Sequence, residues 1–158
     1  MFRPMRRFRQ QLSREACEKV LLEAPRGVLA LLGDDDYPYT VPMDFLYEPA
    51  ENRIYFHCAK VGHKLDAIAR HDKASFCVMD EGFRKPGEWA LNISSVIVFG
   101  RICPVEDREK TLAKVLALGI KYHPTVEAAK EELDKAADRV LCLEMEIEHM
   151  TGKLVNES

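Results

Sequence analysis

The sequence predicts a mainly β, α+β domain in which an antiparallel sheet rolls into a small closed or split barrel with peripheral helices. Three observations lead there. Short apolar or alternating runs recur between Gly27 and Val105, and most are joined by turns too short for the crossover helices of a parallel sheet. The last run, residues 140–150, alternates strictly, with Leu141, Leu143, Met145 and Ile147 between Cys142, Glu144, Glu146 and Glu148; that period of two marks a strand with one buried face. Helical periodicity is confined to three places: the start, a short stretch after residue 60, and a region before the last strand.

Ser13 is placed to N-cap a first helix, with Glu15 favourable to its dipole, and Pro25 stops it. Gly27 to Gly33 reads as a buried strand bracketed by glycines. Asp34, Asp35 and Asp36 with Tyr37 and Pro38 make a turn, and residues 39–47 return as one second strand. Adjacent aspartates in a tight turn diverge, so a solvated turn is favoured over a hard-cation site. Residues 53–58 form the third strand. A short helix from Gly62 to Arg70 is expected to bury Leu65, Ile68 and Ala69. Residues 74–79 form the fourth strand, and 81–87 a loop. The run from Trp89 to Val105 is long enough to bend, with Gly100 permitting a bulge or a close backbone approach. Helices follow on either side of Pro124, the first presenting Leu112, Val115, Leu116 and Gly119 on one face. These elements make about six strands in a single domain over residues 1–158, with a basic arm at 1–10 and a helical insertion at 106–137.

The chain carries 23 Lys and Arg against 26 Asp and Glu, a net charge of -3. That gives no global attraction to nucleic acid or an anionic membrane. Arg3, Arg6, Arg7 and Arg9 form a basic arm without an accompanying aromatic-basic module, so a solvated arm, or one folded against a partner subunit, is expected. The five cysteines are scattered, odd in number and without a C-x-x-C pair. They suit free thiols in a reducing cytoplasm. No apolar run approaches membrane-spanning length, and the dispersed histidines fit no zinc spacing.

The segment from Arg53 to Ile68 carries the most chemistry. A strand ends, the chain turns through Gly62, and a helix opens with His63 and Lys64 at its mouth. Unpaired amides and a partial positive charge there suit an anionic group. Lys64 reads either as a surface lysine or as the point charge of a phosphate site. The loops of nucleotide triphosphatases and dinucleotide folds are both absent. His57 and Cys58, as strand neighbours, point to opposite faces and make no nucleophile–base dyad. Pro42 and Met43 interrupt the second strand, as at an edge or where backbone faces a ligand. Ser94 and Ser95 can donate hydroxyls to a ligand or bond locally. Trp89 can stack on a flat ring or simply pack.

Taken together, residues 1–7, 33–42, 54–64, 74–78 and 94–101 resemble the pyridoxamine-phosphate-oxidase-like FMN-binding split barrels, and among them the nitroimidazole-resistance (Nim) group. The resemblance implies a six-stranded antiparallel split β-barrel and a homodimer with FMN in a groove at the subunit interface. It assigns the FMN phosphate to Ala59, Gly62, His63 and Lys64, places Val41, Pro42 and Met43 against the flavin ring with Ser95 nearby, and lines the groove with His57 and Cys58. The pyridoxamine-phosphate oxidases proper carry a Ser-Arg-Lys type cluster where this chain has Gly62, His63 and Lys64. Their substrate-binding arginine and histidine are not evident near the C-terminus, which argues against vitamin B6 oxidation. The function implied is reduction of a nitroimidazole or a related small electron acceptor, with His57 as candidate catalytic proton donor or substrate contact. The alternative is a non-catalytic flavin- or haem-binding protein of the same fold.

Overall fold

A computed structural model describes residues 1–156. The N-terminal residues turn onto the sheet, where Phe2 stacks on His149 with ring centroids 4.6 Å apart. Helix α1 (Arg14–Glu23) is capped by the Ser13 hydroxyl, which accepts from the Ala16 amide at 3.2 Å. Seven strands follow: β1 (Gly27–Leu32), β2 (Pro38–Met43), β3 (Leu46–Glu48), β4 (Arg53–Ala59), β5 (Lys73–Met79), β6 (Asn92–Pro104) and β7 (Val140–Asn156). Helix α2 (His63–Arg70) lies between β4 and β5, and α3 (Arg108–Tyr122) and α4 (Val126–Ala136) form the insertion before β7.

All pairings are antiparallel, in the order β2-β1-β5-β6-β7-β4-β3. The stretch expected as one strand over residues 39–47 is therefore two. β2 closes one edge of the sheet and β3 the other, which raises the strand count from six to seven. Only Asp44 and Phe45 join them, and three residue steps span about 10 Å at most. The sheet must curl until its two edges approach. Phe45 marks the interior so formed: it is fully buried and meets Phe76 edge-on at 4.9 Å, and Phe76 meets Phe56 at 5.1 Å. Phe76 on β5 and Phe56 on β4 are three strands apart in the sheet, so their contact crosses the enclosed core.

Gly100 has the close approach expected of it. The β6–β7 register shifts between Phe99 and Gly100, and a Cβ on Gly100 would fall on the Glu146 carbonyl oxygen. Pro42 is tolerated because β2 is an edge strand.

Three expectations about faces are corrected. α2 buries Ala67 and Ile68, while Ala69 is exposed and Leu65 only half-buried. α3 buries Thr111 and Leu118, leaving Leu112, Leu116 and Gly119 half-buried; its long apolar run does not reveal which stripe meets the sheet. On β7, Cys142 is as buried as its apolar neighbours. It lies in a second small core with Tyr55 and Val105, against which Val115 of α3 packs, and burial pushes its thiol up to about 12. Cys17 is also buried, whereas Cys77 and Cys103 are exposed, and all five cysteines are free.

Candidate functional site: the mouth of α2 and the edge of β2

The turn between β4 and α2 is open by construction. Gly62 N-caps α2 at φ 138° and ψ 170°, a region essentially reserved for glycine. A Cβ there would meet nothing within 4 Å, so conformation rather than crowding requires the glycine. The first amides of α2 that return to this turn are those of Leu65 and Asp66, both bonded to the Gly62 carbonyl. Lys64 is half-buried, and its Nζ contacts the Met43 sulfur at 3.5 Å. It has no carboxylate partner among the described residues.

The two cations at this mouth diverge. His63 stacks on Tyr39 at 4.1 Å, with its Nε2 3.7 Å from an Asp34 carboxylate oxygen. Asp34 in turn accepts from Arg70 at 2.6 Å. The Asp34–Asp36 turn is thus a brace between the β1–β2 hairpin and α2. Lys64 instead reaches across to the end of β2.

Next to Lys64, a shallow groove of about 240 Å³ is lined by Arg26, Pro42, Met43, Asp44 and His57. Arg26 donates to Asp44 at 2.8 Å along one wall, so among the described residues the cation beside the groove without a carboxylate partner is Lys64. His57 keeps contact with solvent, yet its surroundings hold its pKa below the ordinary value. The chief cause is burial, which Lys64 reinforces and Asp44 opposes. Its imidazole is therefore neutral near pH 7, able to donate at one nitrogen and accept at the other. Cys58 faces inward and packs on the core, where burial raises its pKa despite Lys64. The thiol stays protonated and is no nucleophile.

The fold thus brings Pro42, Met43, His57 and Lys64 together. Val41 turns inward and packs on the core, and Ala59 ends β4 in an exposed position beside the Gly62 turn. Ser95 stands apart. Met43 pairs with Gly27, Gly27 with Val78 and Val78 with Val96, which sets Ser95 three strand spacings away, roughly 14 Å. It lies on the outer face, since its neighbour Val96 is buried. Trp89 is exposed outside the strands.

Arg26, Asp44, Lys121 and Tyr122 escaped sequence reasoning. The Lys121 ammonium donates to the carbonyls of Ala24 at 3.0 Å and Phe45 at 2.9 Å. The Phe45 amide donates to the Tyr122 hydroxyl at 3.0 Å, and that hydroxyl donates to the Pro25 carbonyl at 2.6 Å. The end of α3 therefore fixes the Asp44–Phe45 crossover on which the groove is built. Partners 77 residues apart leave no local signal in the sequence. A second cavity, of about 260 Å³, lies between the α3–α4 hairpin and the sheet, and His57 lines it too, with His123 and Val140.

No three His, Cys, Asp or Glu side chains among the described residues are grouped to hold a metal ion, and no described helix is long and apolar enough to cross a membrane. A search of curated proteins found no match. The fold is that of several solved structures. A candidate 5-nitroimidazole antibiotic resistance protein from Bacteroides thetaiotaomicron superposes with a TM-score of 0.75 at 18% identity, over 92% of this chain and 87% of its own. The flavocytochrome Anf3 from Azotobacter vinelandii gives 0.76 at 18%, over 96% and 72%. An FAD- and haem-binding protein from Mycobacterium smegmatis gives 0.74 at 22%, over 94% and 74%. Residues 13–154, nearly the whole described sheet with its helices, match the family model described as pyridoxamine 5'-phosphate oxidase, and the chain belongs to that family.

Proposed function

We propose that this protein is an FMN-binding split-barrel flavoprotein that reduces a nitroimidazole or a related small electron acceptor, working as a homodimer in the cytoplasm. The observation that carries the reading is Lys64, an ammonium with no carboxylate partner among the described residues, at a helix mouth that Gly62 holds open. The site fits a phosphate ester: the α2 dipole and Lys64 act on the same anion, while Pro42 and Met43 offer an edge-strand backbone to a flat ring. The flavin-binding descriptions of structural neighbours support the same cofactor class.

A bound flavin would supply the electron uptake and delivery that a nitro group or quinone requires. The chain's own residues do the rest. Lys64 offsets phosphate charge, the Arg26–Asp44 pair closes one wall without adding net charge, and His57 holds a proton at its neutral imidazole where a ligand in the groove can reach it. The homodimer is supported by the outer sheet face. Val28, Cys77 and Ile97 align across β1, β5 and β6, and Val28, Ile97, Phe99 and Met79 are all exposed there. A contiguous apolar face of that kind is uncommon on a monomer.

The purified chain should be yellow or should bind added FMN with quenching of its fluorescence, FAD being titrated alongside. With a reductant and a 5-nitroimidazole, the loaded protein should yield the amine. A chain that binds neither flavin overturns the reading. Flavin binding without turnover would instead favour a carrier. A Soret band on adding haemin would favour the haem-binding alternative.

A further inference from the structure

The cavity beneath the α3–α4 hairpin is distinct from the flavin groove and shares only His57 with it. The geometry points to a binding pocket there for a compact, mostly apolar ring compound that presents a nitro or carbonyl oxygen to His57. Its walls come from four elements. Val115 and Leu118 project from α3, Leu133 and Ala136 from α4, and Val140 from the start of β7, with His57 on β4 as the polar group nearest the flavin groove. At about 260 Å³ it lies just below the usual range for ligand pockets, about 300–1,000 Å³, so it suits a single ring.

His57 connects the two sites. It lines this cavity and also the groove with Pro42, Met43 and Asp44, so one imidazole separates a ligand under the hairpin from a ring lying along β2. A neutral imidazole can donate one hydrogen bond to an oxygen in an otherwise apolar space, where such a bond orients a ligand. Apart from His57, the polar side chains of the lining are His123 and Glu132, both on the helical hairpin. That the occupant is the electron acceptor rests on the flavin reading; that the pocket binds an apolar ring with an acceptor oxygen does not.

Nitrobenzene and toluene, which differ in the nitro group, separate the two parts of the inference when titrated into the full-length chain without flavin and followed by methyl NMR. Both should bind and shift the Leu118, Leu133 and Val140 methyls, nitrobenzene more tightly. His57→Phe should weaken nitrobenzene about fivefold, the worth of one neutral hydrogen bond of about 1 kcal/mol, and leave toluene within twofold. Ala136→Trp should weaken both tenfold or more, and Leu133→Phe, should Ala136→Trp fail to fold, should do the same. Equal binding to wild type and to a folded cavity-filling variant overturns the pocket. Equal loss of both ligands in His57→Phe overturns the hydrogen-bond role. FMN titration of the same variants reports the groove separately: failure of FMN to bind wild type removes the flavin reading and leaves the pocket standing.

Discussion

Replacing Lys64 with methionine removes one ammonium from the mouth of α2 while keeping a side chain of similar reach. In the structure that ammonium touches the Met43 sulfur at 3.5 Å and has no carboxylate partner among the described residues, so the folded chain loses little when it goes. A phosphate loses more. Two unit charges 4 Å apart attract by about 4 kcal/mol at an effective dielectric near 20, and desolvation of a half-buried lysine offsets part of that. Hydrogen bonds to charged groups contribute about 1.5–3 kcal/mol net, equivalent to roughly a 10- to 150-fold rise in Kd for FMN. Riboflavin has the same ring and no phosphate, so its affinity should move less than twofold. Fluorescence-quench titrations of both flavins against wild type and Lys64→Met give the ratio directly, and urea melts confirm that stability changes by less than about 1 kcal/mol. The FMN penalty should also shrink as salt rises, because the site is only half-buried. A variant that binds FMN as tightly as wild type, or loses riboflavin equally, refutes the phosphate assignment.

Other outcomes follow from the same geometry. His57 should titrate below the usual histidine value of about 6.5 when followed by NMR, because burial disfavours its charged form. Its folded pKa being depressed, the unfolded chain protonates first, so stability should fall as pH drops below about 6.5 and flatten below the folded value; urea midpoints in His57→Gln should show less of that fall. Ile97→Glu, placed on the exposed face of β6, should shift the mass measured by light scattering from dimer to monomer, and an unchanged mass removes that face as the interface. Gly100→Ala drives a methyl into the Glu146 carbonyl and should lower the urea midpoint by the equivalent of about 1–3 kcal/mol.

What was legible in the sequence is what is local. Ser13 caps its helix by accepting from the amide three residues ahead, and the Gly62–Lys64 turn lies within one contiguous stretch; the Asp107 and Thr125 caps are equally local but were not among the expectations. The alternation of β7 showed its buried face because that face is continuous from Leu143 to Ile147. Legibility failed where a distant element decides. Cys142 sits on the face that alternation assigns to solvent, and it is buried with Tyr55 because α3 lies over them. The β2–β3 break failed for the same reason. Residues 39–47 contain no glycine to mark it, and nothing local shows that the chain crosses from one edge of the sheet to the other.

That crossover explains why the helical insertion, the least recognisable part of the sequence, matters to the site. Phe45 must enter the core while Asp44 stays at the surface with Arg26, and the turn between them exposes backbone groups that two short edge strands cannot satisfy. Lys121 and Tyr122 meet that need, donating to the carbonyls of Ala24, Pro25 and Phe45 and accepting the Phe45 amide. Burial lowers the Lys121 pKa to about 8, yet its two carbonyl acceptors and the Phe45 ring, 3.9 Å from the ammonium, all favour the charged form. The same helix then supplies Val115 and Leu118 to the cavity beside His57. One element therefore closes the curled sheet, fixes the end of β2 where the groove lies, and walls the pocket next to it. Changes in α3 should reach flavin affinity and ring binding together, even though Lys64 itself lies on α2.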